Sequence, residues 1–185
     1  MNQVLEFLQQ RNSVARLDGP APSDQELDDI LRAATRVPDH AWLRPWRFIS
    51  LRGERREALG EVLLDCLLQR DPQADEAAQA KARNSPLRAP LLLIVVARLS
   101  EHPKVPPIEQ RLSAGCAAYA ALLAAEAMGY AGIWRTGAMA FDRRVMDALG
   151  LAADEEITGV LYLGSSQGPR KPVPELSPAD FHSRW

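Results

Sequence analysis

Four short apolar segments separated by helical patterns predict a single α/β or α+β domain for this chain. Two features carry most of that prediction. Residues 91–97 contain no polar side chain, which suits a central strand covered on both faces. Residues 108–128 form a long helical pattern in which Ala114, Gly115, Ala117, Ala118, Ala120 and Ala121 are all small, so this helix is expected to pack closely and to be buried nearly all round. The order of the strands is not visible, because their pairing is non-local.

Residues 4–10 read as a short helix with Val4, Leu5, Phe7 and Leu8 on one face, ending at Arg11-Asn12-Ser13. After the loop Asp18-Gly19-Pro20-Ala21-Pro22, Ser23 and Glu26 have the spacing of a capping box. Leu27, Ile30, Leu31 and Ala34 continue that helix until Val37-Pro38 forces an exit. Residues 48–51 predict a strand, and residues 54–69 a helix presenting Leu59, Val62, Leu63, Cys66 and Leu67. The Ala-rich, charged residues 73–83 have helical composition but few anchors and are expected to be mobile. Gly129 closes the long helix, residues 131–137 run from a strand into a Gly-bounded turn, and Asp142 caps a helix that Gly150 ends. Residues 157–163 supply the last strand. Pro169, Pro172, Pro174 and Pro178 then describe an extended tail, so the domain is expected to span 1–185 with a Pro-rich segment over 165–185.

With 185 residues, 46% hydrophobic and 25% charged, the chain suffices for one well-packed core. Its 22 Lys and Arg against 24 Asp and Glu leave a net charge of −2, so no overall basic field invites nucleic acid or anionic lipid. No apolar run approaches the roughly 20 residues of a membrane span, and the N-terminus lacks the pattern of a signal peptide. A cytoplasmic protein is therefore expected. Cys66 and Cys116 each fall in an apolar helical pattern and are expected to be buried thiols. His40, His102 and His182 are isolated, without metal-ligand spacing.

Three nucleotide or hydrolase motifs fail on their surroundings. Gly164-Ser165-Ser166-Gln167-Gly168 has the G-x-S-x-G form, with Asp180 and His182 beyond it, but the Pro-rich residues after Gly168 cannot make the helix of a nucleophile elbow. A serine hydrolase is thus the least supported of three readings. Residues 132–137 have the outer spacing of a P-loop, yet Ala138-Met139 occupy the Lys and Ser/Thr positions. No G-x-G-x-x-G follows a strand.

Four motifs in order are more specific: Arg11-Asn12-Ser13, Arg36-Val37-Pro38-Asp39-His40, Arg44-Pro45-Trp46-Arg47-Phe48 and Gly132-Ile133-Trp134-Arg135-Thr136-Gly137, with Ser113-Ala114-Gly115-Cys116 in the long helix. Together the chain resembles the nitroreductase family of flavin enzymes, most closely its minimal bacterial subgroup of NAD(P)H nitroreductases. The resemblance implies an α+β fold with a central mixed or antiparallel sheet flanked by helices, in an intertwined homodimer with FMN at the subunit interface. It also implies a ping-pong reaction in which NAD(P)H is the electron donor and a nitroaromatic, quinone or similar acceptor follows in the same pocket. The long helix would be the central dimer helix, and the tail an arm around the partner.

By the same resemblance the cofactor-binding residues are Arg11, Asn12, Ser13, Arg36, His40, Ala124, Trp134, Arg135 and Thr136, with Arg36 and His40 reaching the flavin of the other subunit. No side chain is needed as catalytic acid or base, because the flavin carries the chemistry. An FMN phosphate calls for a guanidinium, a hydroxyl and backbone donors, which Arg11 and Ser13 offer; otherwise they are a solvated Arg and a turn Ser. Arg36 and His40 also suit a helix C-terminus, Trp134 a core aromatic, Arg135 a strand end and Ala124 plain packing. Two positions depart from the family. Asn12 stands where many members carry a second Arg, and Arg44 stands where Asn or Gln usually precedes Pro-Trp. A chain of this length has little room for the inserted helices that cover the pocket of larger members. A competing reading is therefore a flavin-binding or storage protein without efficient turnover.

Overall fold

The computed structural model describes residues 2–169 and 171–185; Met1, and Arg170 of the extended tail, lie outside them. Strands β1 (Leu17–Asp18), β2 (Trp46–Leu51), β3 (Leu91–Arg98), β4 (Ala131–Arg135) and β5 (Glu155–Ser166) form one antiparallel sheet. Its order is β2-β3-β5-β4, with β1 paired to the last two residues of β5. The run 91–97 is a central strand, flanked by β2 and β5 and buried throughout.

Because side chains alternate across a strand, β3 feeds two cores. Leu92, Ile94 and Val96 pack with Leu59, Leu63 and Cys66 of α3 (Glu54–Arg70) and with Val145 and Met146 of α6 (Arg143–Ala148). Leu91, Leu93 and Val95 pack with Leu27 and Ile30 of α2 (Asp24–Ala34) and with Ala118, Ala121 and Leu122 of α5 (Pro107–Ala127). Helices thus cover both faces of the sheet.

Local signals hold at several ends. Ser23 Oγ accepts from Glu26 N at 3.3 Å and the Glu26 carboxylate accepts from Ser23 N at 2.8 Å, closing the capping box of α2. Gly129 ends α5 at φ 88°, in the left-handed region that glycine enters without a Cβ clash. The strand over 157–163 runs further, from Glu155 to Ser166, and contains a bulge: Val95 faces Gly159 but Val96 faces Ile157, leaving Thr158 unopposed.

Two expectations are corrected. The long helix is not buried all round: its period places Ile108, Leu112, Cys116 and Tyr119 on the face away from the sheet, where all four are exposed. Cys116 is therefore an exposed thiol, whereas Cys66 is buried as expected. The segment 73–83, helical in composition, folds mainly into α4 (Glu76–Asn84), capped by Asp75, whose carboxylate accepts from Ala78 N at 2.7 Å. The helix α1 (Gln3–Gln9) forms as expected, but its apolar face buries no residue in the single chain.

The attachment of α4 to α3 depends on Gly60, where a Cβ would lie 2.2 Å from the carbonyl oxygen of Arg83. Gly60→Ala is expected to force the two helices apart and cost about 1–3 kcal/mol of stability, read as a lower urea midpoint. An unchanged midpoint would show that the pair separates freely.

At the opposite end of the sheet Glu155 is buried and closely held. Its carboxylate accepts from Arg47 Nε and Nη2, both at 2.7 Å, and from Ala152 N at 3.0 Å. The Arg47 guanidinium is the main reason its pKa falls to about 2, against the opposing effect of burial.

Candidate functional site

The turn after α1 brings Arg11, Asn12 and Ser13 to the edge of β4 that β5 leaves free. Val14 N donates to the Gly132 carbonyl at 3.0 Å and fixes the approach. Arg11 Nη1 donates to Ser13 Oγ over a long 3.4 Å, and both residues are half-buried, so most of their donor capacity is unused. Asn12 is placed differently: its Nδ2 donates to the Lys171 carbonyl at 2.7 Å and ties the tail to this turn.

Consecutive β4 residues point to opposite faces. Trp134 packs into the α2/α5 core with its indole against Gly159, where a Cβ would meet Nε1 at 1.9 Å. Its side chain is a core aromatic. Arg135 turns to the other face, with its guanidinium carbon 5.6 Å from the centroid of the Tyr162 ring and its Nε buried without a hydrogen-bond partner. Burial raises the pKa of the Tyr162 phenol, while Arg135 and Arg88 act in the opposite direction. Arg135, Thr136 and Gly137 wall a cavity of about 830 Å³ between β4, α3 and α4. Lys81 and Arg88 add positive charge to it. Asp142, on the same wall, is neutralised by Arg144 at 2.8 Å, which is the main cause of its lowered pKa. The cavity is therefore apolar in its depth and electropositive, a setting for a planar anionic ligand.

Arg36 and His40 lie elsewhere in the single chain. Arg36 follows the C-terminus of α2 and borders a cleft of about 360 Å³ shared with Trp42, Arg44 and Trp46. His40 Nδ1 lies 2.7 Å from Glu109 Oε2 in the first turn of α5, and Ser113 Oγ donates to the Pro38 carbonyl at 2.6 Å. Directly after His40 the backbone is strained: Ala41, Trp42 and Arg44 have φ of 58°, 56° and 49°. Such left-handed conformations cost roughly 1–2 kcal/mol per non-glycine residue. The Asp39 carboxylate offsets part of this by accepting from Leu43 N at 3.1 Å and Arg44 N at 2.8 Å. Ala124 is half-buried against the α2/α5 core.

The structure thus unites the 11–13 turn with β4, sets Arg36 at a second cleft and holds His40 beside Glu109 of α5. Sequence reasoning did not single out Lys81, Arg88 or Tyr162 as site residues, since no motif spacing links them to β4. The hydrolase motif dissolves: Ser165 lies in β5 and its Oγ donates to the Pro20 carbonyl at 2.8 Å, while Ser166 Oγ donates to the Gly168 carbonyl at 3.1 Å. Among the described residues no group of three or more His, Cys, Asp or Glu side chains is placed to hold a metal ion, and no helix is long and apolar enough to cross a membrane.

An antiparallel sheet in this order, with helices on both faces, is the architecture of the nitroreductase-like α+β proteins. A nitroreductase-like family protein from Bacillus cereus superimposes with a TM-score of 0.84 at 19% identity, covering 100% of this chain and 97% of that one. NfnB from sphigopyxis sp. strain HMH, described as an FMN and NADPH-dependent nitroreductase, superimposes at 0.78 and 19% identity over 98% of each chain. Residues 8–165 match the model of the nitroreductase family, and the chain belongs to that family. "Putative NAD(P)H nitroreductase YdjA" of Escherichia coli K12 is 45% identical over 164 residues, 89% of this chain and 88% of that protein. A Haemophilus influenzae protein of the same description, without the YdjA designation, is 35% identical over 88% of both chains.

Proposed function

We propose that this protein is an FMN-dependent oxidoreductase that uses NAD(P)H to reduce nitroaromatic, quinone or similar acceptors by a ping-pong sequence. The observation that carries the reading is the buried, unpartnered Arg135 Nε on the wall of an electropositive cavity, on the same strand that receives the Arg11–Ser13 turn. A buried donor without an acceptor costs about 1–3 kcal/mol unless a ligand supplies one. An anionic, planar cofactor fits that requirement. FMN, when bound, supplies the two-electron chemistry between donor and acceptor.

The chain supplies binding and orientation. Arg11 and Ser13 present a guanidinium and a hydroxyl for the phosphate, and Arg135 and Thr136 present donors from the cavity wall. Trp134 holds its strand in place by packing on Gly159, so its contribution to the cofactor comes through the backbone. Arg36 and His40 serve the flavin of a second subunit. The apolar stripe Ile108, Leu112 and Tyr119 on α5, exposed in the single chain, supports such a homodimer, as do exposed Leu5 on α1 and Phe181 and Trp185 in the tail. In this reading residues 1–185 form one domain, the tail serves as the arm, and the FMN lies at the subunit interface. Two free thiols accord with a cytoplasmic setting.

The test is an absorbance spectrum of the purified protein over roughly 300–550 nm, with the chromophore released by heat, followed by NAD(P)H oxidation with menadione. Flavin bands, released FMN and turnover are expected. A bound but inert flavin would favour the storage reading, and a colourless protein that refuses added FMN would overturn both.

A further inference from the structure

We propose that Tyr162 is a positioning residue for the cofactor cavity: the face of its ring seats the Arg135 guanidinium, so that the charge and N–H donors of this arginine stay free for a ligand. This rests on the reading of that cavity as the flavin's. Arg135 and Tyr162 sit on neighbouring strands of one chain. Arg135 opposes Val160, two residues before Tyr162, which makes the two a diagonal pair on one face of the sheet. The guanidinium carbon lies over the ring, 5.6 Å from its centroid, inside the roughly 6 Å reach of a cation–π contact. The ring itself is firmly held: Tyr162 is 2% exposed and is flanked in register by Leu92 of β3 and Ile133 of β4.

No other group holds the guanidinium. Among the described residues the Arg135 side chain has no hydrogen bond and no ion pair, and its Nε is buried. The carboxylate on the cavity wall, Asp142, is taken by Arg144 at 2.8 Å, and burial pushes the Cys66 thiol up, so it stays uncharged at neutral pH. A carboxylate would hold an arginine by accepting its N–H groups and cancelling its charge. A ring face holds it through the quadrupole and does neither. The Tyr162 hydroxyl has no hydrogen-bond partner among the described residues, so what the fold uses of this side chain is its ring. Lys81 and Arg88 bring like charge to the same cavity, which favours an arginine that turns out to solvent unless the ring retains it. The outcome is a guanidinium fixed in place and not neutralised, as an electron-rich edge of a planar ligand requires.

The experiment has two arms, and the first reads the seat without flavin. In the isotope-labelled full chain freed of FMN, the Arg135 Nε–H proton resonance, assigned by its loss in Arg135→Gln, is expected to be shifted upfield by the Tyr162 ring current. Tyr162→Phe should keep that shift and Tyr162→Leu should abolish it. The second arm is fluorescence titration with FMN. Tyr162→Leu and Arg135→Gln are each expected to weaken FMN about tenfold, and Tyr162→Phe, which keeps the ring, by less than about twofold. Tyr162→Leu added to Arg135→Gln should cost less than about a further twofold, because the ring acts through the arginine. An ordinary Arg135 resonance in the parent, or losses that multiply to about a hundredfold in the double variant, overturns the seat. The parent's resonance decides even where a urea melt shows that Tyr162→Leu fails to fold. A shifted resonance in a protein that refuses FMN sinks the cofactor reading alone, and FMN bound by a chain with an ordinary resonance sinks the seat alone.

Discussion

Arg11→Ala is expected to emerge from purification with little or no FMN while folding as well as the parent chain. The side chain makes one long hydrogen bond, 3.4 Å to Ser13 Oγ, and belongs to no core cluster, so the fold loses almost nothing with it. A phosphate would lose a charge-assisted, bidentate partner, an interaction worth roughly 1.5–3 kcal/mol, or about 10- to 100-fold in Kd. The Asn12 amide, already donating to the Lys171 carbonyl, offers no second positive charge to replace it. Fluorescence titration of the apoprotein with FMN, beside a urea melt, separates the two effects. Full retention of FMN by the variant would remove Arg11 from the phosphate site; a collapsed melt would make its role structural.

The second large effect concerns stability. Glu155→Ala is expected to cost about 2–3 kcal/mol at neutral pH, because the variant loses three hydrogen bonds and leaves the Arg47 guanidinium without its carboxylate. The cost should vanish in acid. Glu155 is held at about 2 in the folded protein against an ordinary value of 4.5, so the unfolded chain binds the proton first as pH falls. Its stabilisation is therefore fully present above about pH 4.5 and is lost progressively between there and about pH 2. Urea midpoints of parent and variant should converge over that window. A constant gap across it would mean that the Glu155 contribution is packing rather than charge.

The legible parts of the fold were those in which one residue type settles a local geometry. Ser23 and Glu26 announce a capped helix, Gly129 the end of α5, and the polar-free run at 91–97 a strand covered on both sides. What escaped depends on distant partners. Leu17–Asp18 is a strand because Ser165 and Ser166 lie opposite it, and nothing in two residues reveals that. Cys116 is exposed because the sheet claims the other side of α5, and a helix rich in alanine gives too little contrast between its faces to show which side that is. The candidate site divides in the same way. Arg11, Ser13, Arg36, His40 and the β4 segment stood out as motifs, whereas Lys81 reaches the cavity from α4, a helix that the sequence left without anchors, and Arg88 from the 3-10 turn that follows it.

That helix also divides the cavity into a floor and a door. The floor, made by β4, Tyr162 and Val145, belongs to the central core and can move only if the sheet itself opens. The door is α4, which buries no residue of its own and is held mainly by the close approach at Gly60 and an exposed Arg83–Glu61 ion pair at 2.8 Å. Swinging it aside exposes little apolar surface, so it belongs to the low-energy end of the molecule's local openings. The cavity can thus admit guests of different breadth at its mouth while the arginine at its back stays fixed, giving a permissive entrance to an exacting interior.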